Sequence, residues 1–133
     1  GLLDKKETVK HSTVDISRYA HYLEKEKNRR IRTNQDSVRL FEETIDYVTA
    51  RGIQMVLIHI PVIDLLNDID PGNQKKMIQI FKSQGKKKHV TFLNYSEEYD
   101  HRHELFFDLR HLNEKGKKMI TSRLISDLKA IHD

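Results

Sequence analysis

The sequence predicts an α/β fold of three layers, a parallel sheet flanked by helices. The first observation behind this is a nearly continuous apolar run, Ile53-Gln54-Met55-Val56-Leu57-Ile58-His59-Ile60. Such a run marks a parallel strand covered by helices on both faces. The second is the order of the apolar patterns along the chain: helix, helix, strand, helix, strand, helix. That order calls for right-handed crossovers between parallel strands.

Each element has its own justification. Residues 1–11 are polar and have no period, which predicts an arm. Residues 12–30 predict a weakly amphipathic helix with a short stripe of Ile16, Tyr19, Ala20 and Leu23. It runs out in Glu24-Lys25-Glu26-Lys27-Asn28-Arg29-Arg30, a mixed-charge stretch. That stretch is a solvated face, or else Lys27, Arg29, Arg30 and Arg32 form a phosphate-binding patch. Residues 1–32 are therefore set apart as arm and charged helix, and 33–133 as the α/β portion.

Asn34 or Asp36 caps the next helix, which buries Val38, Phe41, Ile45 and Val48. Gly52 ends it in a left-handed conformation. The apolar run follows and stops at Pro61. Residues 64–73 predict a loop, and 73–84 a helix burying Met77, Ile78 and Phe81. The lysines of Gly85-Lys86-Lys87-Lys88 sit at the negative end of that helix. Residues 89–95 predict the second strand and 96–104 a polar loop with Tyr99, His101 and His103. Asn113 caps the last helix, whose stripe is Ile120, Leu124, Leu128 and Ile131, flanked by Met119 and Ile125. Gly116 allows its first turn to pack closely against the sheet. Two strands alone leave open edges. The missing partners come from a segment outside this stretch, or from a second copy in a homo-oligomer.

Composition narrows the function. The 133 residues make one domain or part of one, and 37% hydrophobic residues without Trp give a modest core. The net charge of +4 is mild and mixed along the chain, which speaks against a nucleic-acid binder. The absence of Cys excludes disulfides and thiol-ligated metals. Asp64, Asp68 and Asp70 do not follow the helix–loop–helix calcium spacing, and His101-x-His103 lacks a third ligand, so neither predicts a metal site. No apolar run reaches the length of a transmembrane segment. The start Gly1-Leu2-Leu3 leads us to expect a piece of a longer protein.

The chemistry concentrates in Phe106-Phe107-Asp108-Leu109-Arg110-His111-Leu112-Asn113-Glu114-Lys115-Gly116. Asp108 and His111 stand three apart on a turn, where the carboxylate can orient the imidazole and support its protonated form. The other reading is that Asp108 caps a turn and His111 is an ordinary surface histidine. His59 and Asn94 lie at the carboxyl ends of the two strands, where open α/β sheets place their crevice. They are the candidate substrate contacts. The competing reading of His59 is a hydrogen-bonded core histidine.

Phe106-x-Asp108-x-x-His111-Leu112-Asn113-x-x-Gly116, followed by an amphipathic helix, resembles the C-terminal motif of the SGNH/GDSL hydrolase superfamily. The helix before Arg51-Gly52-Ile53, the strand ending at Pro61 and the second helix–strand unit extend the resemblance to roughly residues 36–131. It points to the bacterial envelope branch of alginate-acetylation and D-alanyl-transfer proteins. The resemblance implies a flavodoxin-like sheet, of which this stretch holds an incomplete part. It assigns the general base to His111 and its orienting acid to Asp108. It also implies a serine esterase or O-acyltransferase acting on a carbohydrate or other cell-envelope acyl ester, without metal or cofactor, in the cell envelope. The family's Gly-Asp-Ser turn and Gly-x-Asn-Asp are absent from this sequence. Asn34-Gln35-Asp36-Ser37 is the nearest lookalike and reads as a helix cap. We therefore expect a C-terminal portion that carries the base but not the nucleophile. Ser96, after the second strand, is the internal alternative. A non-enzymatic reading stands beside these: a hydrolase-like scaffold that binds a partner or glycan.

Overall fold

The structure, a computed structural model, describes residues 11–132; of the expected arm at 1–11, all but His11 lies outside the described residues. Two strands, β1 (Met55–His59) and β2 (Val90–Asn94), pair in parallel, with Met55 opposite Val90 and His59 opposite Asn94. The helices among the described residues are α1 (Ala20–Glu26), α2 (Gln35–Thr49), α3 (Asp64–Asn67), α4 (Pro71–Gln84), α5 (Tyr95–Tyr99) and α6 (Glu114–His132). Short 3-10 turns cover Ile16–Tyr19 and His103–Leu105. The molecule is mixed α/β with a parallel sheet, as its sequence predicts.

Local chemistry explains the element boundaries. The Asn34 side chain accepts the Asp36 and Ser37 N–H groups at the start of α2. Gly52 ends that unit at φ +75°. Asn113 caps α6 by accepting the Gly116 N–H at 2.9 Å. A Cβ on Gly116 would lie 2.2 Å from the Leu105 carbonyl oxygen. The close approach that requires this glycine is thus to the 103–105 turn rather than to the sheet.

Several expectations need correction. The run at 53–60 is not buried on both faces: Ile58 is 39% and Ile60 61% exposed. Among the described residues the sheet has two strands, and each keeps an unpaired outer edge. Residues 12–30 break into a 3-10 turn and a helix of seven residues. The predicted loop at 64–73 contains α3 and the start of α4. Pro71 fits the first turn of a helix, where its missing N–H is no loss. The predicted loop at 96–104 contains α5, whose Tyr95 and Tyr99, four apart, both turn into the core.

The two faces of the sheet meet different neighbours. Phe92 packs against Phe81 of α4, and Phe81 against Phe41 of α2. On the other face, Leu93 joins the main core, which gathers Val14, Ile63, Tyr95, Tyr99, Leu105, Phe106, Leu109 and Ile120. Ile63, Leu105 and Phe106 are fully buried. The best-packed residues therefore sit in the loops around the Asp108 turn. This fixes the position of that turn, since buried apolar side chains in dense surroundings have little freedom to shift.

Candidate functional site

The turn at 106–111 is held from below by apolar anchors. Phe106 pairs its backbone with Leu112, its carbonyl accepts the Val14 N–H at 2.8 Å, and Leu109 accepts the Ile63 N–H at 3.2 Å. Between the buried Phe106 and Leu109 side chains, Asp108 points outward, and Arg110 and His111 follow it. Asp108 Oδ1 accepts the backbone N–H groups of Arg110 at 2.8 Å and His111 at 2.7 Å. A carboxylate fixed in this way has one orientation in which to meet its histidine.

It does meet it. His111 Nδ1 lies 2.9 Å from both oxygens of Asp108. The Phe107 ring stacks on the imidazole, 15° from parallel at a centroid distance of 5.5 Å. Partial burial pushes the Asp108 carboxyl upward. The Arg110 N–H, the His111 ring and the His111 N–H outweigh that and hold it below the usual carboxylate range. An ionised carboxylate at Nδ1 keeps the proton on that nitrogen and leaves Nε2 with its lone pair. The His111 side chain is 65% exposed, and no group among the described residues hydrogen-bonds its Nε2. The arrangement can accept a proton from a hydroxyl brought to that nitrogen.

The other candidates fall elsewhere. His59 and Asn94 are brought together: His59 Nδ1 lies 3.2 Å from Asn94 Oδ1 across the last register pair. His59 also lies at a tilt of 48° beside the Phe81 ring, so the core-histidine features are real. Both residues nevertheless border a hollow of about 330 Å³ at the carboxyl end of the sheet. Ser96 is buried, and its hydroxyl accepts the Asn67 side-chain N–H at 3.1 Å. It makes no hydrogen bond to His111. His101 is exposed beside Asp100, while His103 turns away to a different acid.

That acid is Asp64, a pairing that no local pattern in the sequence marks. His103 Nε2 lies 2.7 Å from Asp64 Oδ1, with both side chains about one-third exposed. The two residues are 39 positions apart, so no local spacing announces them. The pair ties α3 to the turn before the Asp108 loop.

A larger cleft of about 870 Å³ opens between the chain at 28–32, the carboxyl end of β1, and α3–α4. His59 borders it, and Arg110 is the residue of the Asp108 turn that reaches it. Matched against protein-family models, curated proteins and solved structures, the chain finds no counterpart in any of the three. No helix among the described residues is long and apolar enough to cross a membrane.

Proposed function

We propose that this chain contributes the base half of an SGNH-type serine esterase or O-acyltransferase acting on a carbohydrate or cell-envelope acyl ester. The observation that carries the reading is the two-oxygen contact of Asp108 with His111 Nδ1, with Nε2 left open. In this mechanism a serine hydroxyl from outside the stretch gives its proton to His111 Nε2 as its oxygen attacks the acyl carbonyl. His111 then returns the proton to the departing alcohol, while Asp108 holds the ring and supports the imidazolium. The complete domain in this reading is a three-layer, flavodoxin-like sheet in the cell envelope, with β1 and β2 at one end of the strand order. The free edge of β1 receives further strands from chain outside this stretch or from a second copy.

The second reading, a hydrolase-like scaffold for a glycan or partner, is favoured by Ser96. The serine best placed after a strand is buried and engaged by Asn67 rather than by His111.

The deciding experiment uses the natural full-length protein, a fluorophosphonate serine probe and an acyl-ester assay. The enzyme reading expects one labelled serine. It also expects His111→Gln to lower kcat by roughly a thousandfold with KM little changed. Asp108→Asn should cost about a hundredfold or more through the wrong tautomer. A correctly folded protein without labelling or turnover overturns this reading in favour of the scaffold.

A further inference from the structure

We infer that the cleft between the 28–32 segment and the carboxyl end of β1 is a binding site for an organic oxyanion, a carboxylate or phosphate carried on a sugar-sized body. This inference goes beyond the proposed base and does not depend on it.

The charge of the cleft comes from a pairing pattern that the linear sequence hides. Glu24 bonds Lys27, and Glu26 bonds Arg29 at 2.9 Å, so the acids of the charged stretch are used by the bases three positions on. Arg30 and Arg32 are left over. Arg30 hydrogen-bonds only backbone carbonyls, those of Lys27 and Arg29. It meets Asp70 at longer range, a carboxyl that the Asn73 side chain, the Ile31 N–H and then the Arg30 charge hold below its usual value. Arg32 has no ion pair or hydrogen bond among the described residues. Arg110, far along the chain, comes to the same cleft, and its guanidinium donates to the Tyr22 hydroxyl at 2.8 Å rather than to an acid. Four arginines thus border the cleft against two acids, Glu26 and Asp70. Glu26 is held by Arg29, and Asp70 accepts the Asn73 side-chain N–H and the Ile31 backbone N–H.

The Ile31–Asp70 bond, 2.8 Å long, ties the arginine-bearing segment across the cleft, whose lining is partly apolar. Val62, Leu66, Ile69 and Met77 supply that apolar lining. A bare ion would use the arginines and leave the apolar lining wet. A ligand with a ring or short chain behind its anionic group uses both. Guanidinium groups suit such a group because their planar N–H pairs match carboxylate and phosphate oxygens. A volume of about 870 Å³ accommodates a sugar-sized body with room to spare.

The test is calorimetric titration of the protein with glucose 6-phosphate, glucuronate, glucose and inorganic phosphate at low salt. We expect saturable binding of at least one sugar anion, with glucose and inorganic phosphate weaker by about tenfold or more. The tighter of the two sugar anions assigns the phosphate or the carboxylate as the natural group. Arg32→Gln and Arg110→Gln should each weaken it by about tenfold, and Lys118→Gln, the same charge change on α6, should not. Arg32 holds nothing in place, so its variant should melt like the parent, which separates lost binding from lost folding. The inference is overturned if neither sugar anion saturates, if inorganic phosphate binds as well as they do, or if Lys118→Gln weakens binding as much as the arginine variants.

Discussion

At the scale of single residues, the Asp108–His111 contact makes two measurable demands. Asp108→Asn replaces an acceptor-only carboxylate with an amide that can also donate. The neutral His111 ring should then shift its proton population from Nδ1 toward Nε2, read by ¹⁵N NMR of the ring nitrogens. An unchanged tautomer would mean that Asp108 does not control the ring. The carboxyl of Asp108 is also held below its ordinary value, near 3.9 in an unfolded chain on a rough scale. A lowered folded pKa adds stability above the unfolded value and loses it as pH falls through the folded one. The stability gap between the parent and Asp108→Asn should therefore be full at neutral pH and narrow in acid, below about pH 4. Gly116→Ala places a methyl against the Leu105 carbonyl and should cost about 3 kcal/mol in chemical denaturation. Gly52→Ala meets no atom within 4 Å, so it isolates the left-handed backbone conformation at about 1 kcal/mol.

At the scale of elements, α5 and α6 are joined by a partly buried network. The Tyr95 hydroxyl donates to Asp127 at 2.7 Å, and Arg123 bridges Asp127 to Glu98. Burial pushes the Tyr95 phenol up, and the Asp127 carboxylate pushes it further. Here the folded value is raised, so the stability is complete below the unfolded value near 10 and is lost as pH climbs above it. Tyr95→Phe should cost about 1 kcal/mol at pH 7 and flatten the alkaline loss in melts above about pH 10. An alkaline limb as steep as the parent's would assign the effect to another group. Asn113 is the busiest cap: its side chain donates to the Glu104 carbonyl at 2.7 Å while accepting the Gly116 N–H. Removing it frays α6 and loosens the Asp108 turn together.

At the scale of the whole molecule, the sheet of the described residues has open edges. Its two parallel strands leave two edges open among the described residues, and Ile53, Ile58 and Ile60 on or beside β1 remain in contact with solvent. An exposed apolar edge is a template for further strands. The stretch by itself should self-associate with rising concentration in light scattering, and Ile60→Lys should shift it toward the monomer. A concentration-independent monomer would count against an edge in need of a partner.

The sequence alone determined what depends on local periodicity and local chemistry. The helical stripes of α2 and α6, the cap at Asn34, the left-handed Gly52 and the three-residue spacing of Asp108 and His111 are all set by residues within one or two turns of each other. The second class of features arises from chain positions far apart. Asp64 meets His103, and Arg110 joins Arg30 and Arg32, across 39 and some 80 positions, with no periodic signal to mark them. The tyrosines of α5 are core residues only because α6 and the Asp108 loop cover them. The apolar run of β1 kept its strand but lost its expected cover. Burial depends on which neighbours pack against a segment, and an apolar stretch does not carry them in its own residues.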